Sequence, residues 1–208
     1  MLNCSQLAPA GTGSELVARV LEDQSGYDTR FRHQHHLVDE EAPCFVITLR
    51  EPAERLSSGV RYELLVPHGG RPRITTFGTA ANFVDALQAH SPRAKRLFNL
   101  SVDKREPASD GSFFLTSLCS YLSRVPDQKP IFFTCTSRLD NDLKLLMRNT
   151  SASFGNTNRR LRQARALQTD TQNSVLQRSF LDLSRRNYLN SLFPCDMRLV
   201  SKYGCSQR

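Results

Sequence analysis

Cys44 to Leu64 reads CFVITLREPAERLSSGVRYEL, an apolar run that ends on Arg50 and becomes an amphipathic pattern beyond Pro52. An arginine at the tip of a buried strand offers a fixed fork of donors, suited to phosphate, sulfate or carboxylate. Pro52 fits the first turn of a helix, where its missing N–H costs nothing. The free N–H groups of that helix end would favour the same anion. Ser57 and Ser58 lie about two turns further on, within reach of it. A plain surface pair, Arg50 with Glu54 or Glu51 with Arg55, is the alternative and contributes only ~0.3–0.5 kcal/mol. More arginine stands in NRRLRQAR, at Arg159, Arg160, Arg162 and Arg165, and again at Arg185 and Arg186. Such a run binds an acidic partner or forms a solvated helix face.

These groups need a scaffold, and the pattern predicts strands separated by helices, an α/β fold with a mainly parallel sheet. Met1 to Ala8 is a candidate first strand, followed by the turn PAGTGS and a helix with Leu16, Val17, Val20 and Leu21 on one face. Arg30 to Ala42 reads as a polar, histidine-rich loop. Cys44 to Leu49 suits a strand covered on both faces, and Leu56, Val60 and Leu64 recur every four residues along the next helix. Further helices are expected at Ala80 to Ala89, Ser112 to Val125, along Leu139, Leu143, Leu146 and Met147, and from Ser174 to Leu192, the last ended by Pro194. PIFFTC is the other strong strand. Ligands of open α/β sheets sit at the carboxyl ends of the strands, where Arg50 falls.

Set on that scaffold, VITLREPAERLSSGVRY resembles the 3′-phosphate-binding motif of sulfotransferases that use 3′-phosphoadenosine 5′-phosphosulfate (PAPS), particularly the Golgi carbohydrate enzymes. Arg50, Pro52, Arg55 and Ser58 match it. The resemblance implies a P-loop-like three-layer sandwich, a central mainly parallel sheet flanked by helices, spanning residues 1–208 as a single domain. It also implies that Arg50 and Ser58 hold the 3′-phosphate of PAPS. PAGTGSEL, Pro9 to Leu16, is similar to the family's 5′-phosphosulfate loop, so Gly11, Thr12, Gly13 and Ser14 would cradle that end. Glycines there let backbone N–H groups converge on an anion, and hydroxyls and a helix dipole assist. Taken alone, the same turn is an ordinary helix cap. The family's loop lysine, which steadies charge on the leaving phosphate oxygen, is Ala10 here, and no lysine precedes Lys95. Loss of one preorganised contact of that kind costs about 3–4 kcal/mol of transition-state stabilisation.

Sulfuryl transfer needs a base for the acceptor hydroxyl. The His-x-His pattern of RFRHQHHLVDEE resembles that of the heparan sulfate 2-O-sulfotransferase branch, which implies His35 as base, with His33 beside it. A neutral imidazole near pH 7 is suited to the task; Glu40 or Glu41 is the carboxylate alternative. The expected acceptor is an acidic carbohydrate, bound by Arg159, Arg160 and Arg162. The expectation includes no metal and a membrane link only through an anchor that this chain does not contain. The other reading is a sulfotransferase-like protein that binds nucleotide or acidic glycan without turnover, because of Ala10.

Composition bounds these readings. The chain has 208 residues, 39% hydrophobic and 23% charged, with a formal charge of +8. That is an ordinary globular composition with a bias toward anionic partners. Nucleic acid is not an expected partner, for no binding motif or aromatic-basic interleaving accompanies the charge. A P-loop NTPase is disfavoured because PAGTGSEL lacks the Gly-Lys-Ser/Thr ending. No window suits a membrane span, and MLNCSQLAPAGTGS does not read as a signal peptide. Cys44 and Cys135, in apolar runs, are expected to be buried thiols, whereas Cys195 and Cys205 could close a short loop in an oxidising compartment. Sequons begin at Asn3, Asn99 and Asn149, favouring a lumenal glycoprotein, and the resemblance implies the Golgi lumen or membrane; a cytoplasmic protein is the alternative if no leader is missing.

Overall fold

A computed structural model describes residues 5–7, 42–65, 74–102, 113–149 and 173–205. Three parallel strands form one sheet in the order β1 (Ser5–Leu7), β2 (Phe45–Leu49) and β3 (Ile131–Cys135). Ser5 pairs with Phe45 and Leu7 with Ile47, while Phe45 also pairs with Ile131 and Leu49 with Cys135. All five residues of β2 are buried, as its unbroken apolar run predicts for a middle strand covered on both faces. Phe45, Ile47 and Leu49 pack with Leu118, Val125 and Val200. On the opposite face the buried Thr134 hydroxyl donates to that of Thr48 at 3.0 Å, satisfying both groups where water cannot.

The described helices are α1 (Pro52–Leu65), α2 (Ala80–Gln88), α3 (Pro92–Val102), α4 (Leu118–Leu122), α5 (Leu139–Asn149), α6 (Asn173–Ser179), α7 (Leu183–Ser191) and α8 (Pro194–Lys202). A second, helical core joins Leu56 and Val60 of α1 to Phe83 of α2, Leu97 of α3, Leu189 of α7 and Phe193. Helix α1 thus follows the middle strand and is gripped by helices drawn from both halves of the chain.

Three expectations about helices are corrected. Ser112 to Val125 is not one helix: a 3-10 turn at Phe113–Leu115 is separated from the short α4. The Thr116 hydroxyl donates to the Ser101 carbonyl and Ser117 caps α4, so local side-chain bonds replace the helical ladder. Ser174 to Leu192 is two helices, because the Asp182 carboxylate accepts from the Arg185 N–H at 2.9 Å and starts α7 afresh. Pro194 begins α8 rather than merely ending its predecessor.

The cysteine expectations are corrected as well. Cys119 is bonded to Cys195 and Cys135 to Cys205, with Cα separations of 6.2 and 5.1 Å, and Cys44 is also disulfide-bonded. The first bridge ties α4 to the start of α8, and the second ties the end of β3 to the chain just beyond α8. Apolar surroundings around Cys44 and Cys135 were compatible with a buried thiol and with a buried disulfide alike, and only tertiary proximity separates the two.

Candidate functional site

Arg50 stands where β2 ends, with its side chain 18% exposed. β1 runs parallel to β2 in the register Leu7 to Ile47, so it delivers the chain to the same sheet edge. Among the described strands the order is sequential, without the reversal that opens a ligand crevice between two strands of a doubly wound sheet. The Arg50 guanidinium donates to Glu54 Oε2 at 3.3 Å. Burial is the main influence on this guanidinium and lowers its pKa; Glu54 opposes the shift, whereas Arg61 and Arg55 reinforce it. It stays protonated, since arginine titrates far above neutrality.

The plain surface pair considered from the sequence is therefore present, and it extends into a network. Arg186 of α7 reaches Glu54 Oε1 at 2.7 Å and Glu51 Oε2 at 3.5 Å. Asn190, one turn further along α7, donates to Glu51 Oε2 at 3.2 Å and accepts the Ala53 N–H at 3.0 Å. This last bond corrects an expectation: the Ala53 N–H at the start of α1 is occupied by an amide oxygen from the chain itself. Two carboxylates also stand at that helix end, where the dipole favours negative charge. Arg50 at the strand tip is thus paired with Glu54, which Arg186 holds in turn.

Ser57 and Ser58 are half-buried on α1, and their hydroxyls make no hydrogen bond among the described residues. Glu54, Ser58 and Arg61 follow one another at i, i+4 and i+7 along one face of the helix. The Arg61 Nε donates to the buried Ser179 hydroxyl at 3.0 Å, holding α6 against α1. Its charge acts on Arg50, and Arg61 stands one turn beyond Ser58 on this face. Sequence reasoning missed Arg61 and saw Arg186 only as part of a basic pair, not as the partner of Glu51 and Glu54. Arg61 was within its reach, three residues beyond Ser58, whereas nothing local connects Arg186 to Glu51 and Glu54.

Arg55, the third motif arginine, has another fate. It is fully buried, pairs with the equally buried Asp196 of α8 and donates to the Thr116 carbonyl. Asp196 accepts further from the Ser117 hydroxyl at 2.6 Å and from the Leu118 and Cys119 N–H groups at 3.0 and 3.3 Å. Phe193 lies under the guanidinium at 5.8 Å. Arg55 therefore locks α1, α4 and α8 together, and the Glu51–Arg55 pair offered as an alternative does not form.

Arg50 stands just before α1 at the strand tip, and Ser58 lies about two turns along that helix. Gly11, Thr12, Gly13, Ser14, His33, His35, Arg159, Arg160 and Arg162 lie outside the described residues, as do Ala10, Glu40, Glu41 and Arg165. The chain matches no protein-family model, no curated protein and no solved structure.

Proposed function

We propose that this protein binds a 3′-phosphorylated adenine nucleotide at Arg50, Ser58 and Arg61, and uses PAPS to sulfate a hydroxyl of an acidic carbohydrate. In this reading the fold is the P-loop-like three-layer sandwich. The observation that carries it is the strand-tip placement of Arg50, largely withdrawn from water, with the Ser58 hydroxyl and a second guanidinium along the succeeding helix. Desolvation strengthens the attraction between such guanidiniums and a phosphate dianion. Glu54 must yield Arg50 to the incoming phosphate, and Arg186 is placed to retain Glu54 when it does.

The chemistry would be an in-line displacement, in which an acceptor oxygen bonds to sulfur as the sulfur–oxygen bond to the nucleotide phosphate breaks. His35 would take the acceptor proton, Gly11 to Ser14 would hold the 5′ end, and Arg159, Arg160 and Arg162 would hold the glycan. The disulfides support a lumenal setting such as the Golgi, since such bonds persist in oxidising compartments.

Ala10 favours a second reading, binding without turnover. A thermal-shift comparison of adenosine 3′,5′-bisphosphate with adenosine 5′-phosphate tests what both readings share. At about 100 times Kd the bisphosphate should add ~2.7 kcal/mol, several degrees in Tm. Arg50→Ala should erase the difference between the ligands, and Glu54→Gln should enlarge it by freeing the guanidinium. Equal shifts for the two ligands would sink the enzyme reading and the nucleotide-binding form of the second reading. Transfer of labelled sulfate from PAPS to a glycan panel then separates enzyme from binder.

A further inference from the structure

We propose that Asn99 carries an N-linked glycan, attached while the chain is still unfolded. This inference rests on the disulfides and on helix α3, and is independent of sulfuryl transfer. Asn99-Leu100-Ser101 meets the acceptor requirement, with leucine rather than proline in the middle. Disulfide bonding at Cys44, Cys119, Cys135, Cys195 and Cys205 indicates folding in an oxidising compartment, where N-glycosylation also takes place.

Helix α3 then distinguishes the two ends of the triplet. Ala94, Leu97 and Ser101 are buried and form its inner face. Asn99 lies about 200° around the axis from Leu97 and is exposed, beside Leu100 at 39% exposure. A glycan on its amide nitrogen would project into solvent without disturbing the core. Pro92, Lys95 and Arg96 are also exposed on this face, so the sugar would cover a partly charged surface and a stray leucine.

Ser101 sets the order of events. Its hydroxyl is fully buried and donates to the Leu97 carbonyl at 2.6 Å. A transferase that must recognise this hydroxyl cannot reach it once α3 has packed. The donor is a lipid-linked oligosaccharide diphosphate. The Asn99 amide nitrogen forms a bond to the anomeric carbon, the carbon–oxygen bond to the diphosphate breaks, the lipid diphosphate leaves, and the amide proton passes to the transferase.

The test is translation of the full chain behind a cleavable secretory leader with microsomes, compared with exposure of the folded, disulfide-bonded protein to the same transferase and donor. Peptide mass spectrometry after enzymatic deglycosylation in heavy-oxygen water reads Asn99 as labelled aspartate. Labelling is expected during translation and absent from the folded protein. Asn99→Gln should remove one glycan, and Ser101→Thr should retain it. An unlabelled Asn99 peptide after co-translational exposure overturns the site, and equal labelling of the folded protein overturns the ordering.

Discussion

Replacing Asp196 by asparagine tests how α1 is held in place. The Asp196 carboxylate receives the Arg55 guanidinium, the Ser117 hydroxyl and two backbone N–H groups of α4, and both charged side chains are fully buried. The isosteric amide keeps an oxygen for α4 but leaves the Arg55 charge without a counter-ion. Leaving one partner of a buried pair uncompensated costs about 3–5 kcal/mol. Arg55→Met should cost less, near the lower end of that range, because the remaining carboxylate keeps three donors. The double variant should be less destabilised than the sum of the singles by about 1–3 kcal/mol, since the second change removes the charge that the first had stranded. Urea unfolding with the disulfides intact measures all three. At a slope of about 2 kcal/mol/M, Asp196→Asn lowers the midpoint by about 2 M. A loss below about 1 kcal/mol, or singles that simply add, would refute the view that this pair secures α1.

Other perturbations follow from the same geometry. A Cβ on Gly59 would fall 2.0 Å from Cγ of Phe114, so Gly59→Ala must displace that ring and should cost about 1–3 kcal/mol despite alanine's better helix propensity; a stabilised variant in thermal unfolding would contradict the packing. Burial pushes the Tyr121 phenol up from 10.0 to about 12. Between those values the unfolded chain ionises first, so stability is intact below pH 10 and falls by roughly 2–3 kcal/mol as pH rises toward 12. Tyr121→Phe should flatten that alkaline loss, and an unchanged pH profile would count against it. The Cys119–Cys195 and Cys135–Cys205 bridges span 76 and 70 residues, so replacing either pair with serine should cost about 2–5 kcal/mol. Because both bracket α8, which supplies Asp196, the loss should carry over into bisphosphate binding at Arg50, read by the ligand-induced Tm shift.

Much of the scaffold was legible locally. The continuous apolar run at Cys44 to Leu49 and the four-residue spacing of Leu56, Val60 and Leu64 announce a buried strand and an amphipathic helix, since those periodicities are set by backbone geometry. Pro52 marks the junction between them, and so the placement of Arg50 at the strand tip follows from sequence. Helix breaks at Thr116–Ser117 and Phe180–Asp182 were missed, because apolar periodicity continues across them while short side-chain bonds stop the backbone ladder.

The partners of the charged groups are a different matter. Glu51, Glu54, Arg55 and the Ala53 N–H are answered by Arg186, Asn190 and Asp196, more than 130 residues further along the chain. Local pattern carries no information about which distant side chains will share a low-dielectric space, and the same holds for the cysteine pairing. Sequence alone determined where a cation would stand and on which elements. Tertiary packing decided that Arg55 is spent on the core, that Asn190 fills the helix end, and that Arg50 must be shared with Glu54, because desolvation makes each buried charge seek the nearest partner the fold provides.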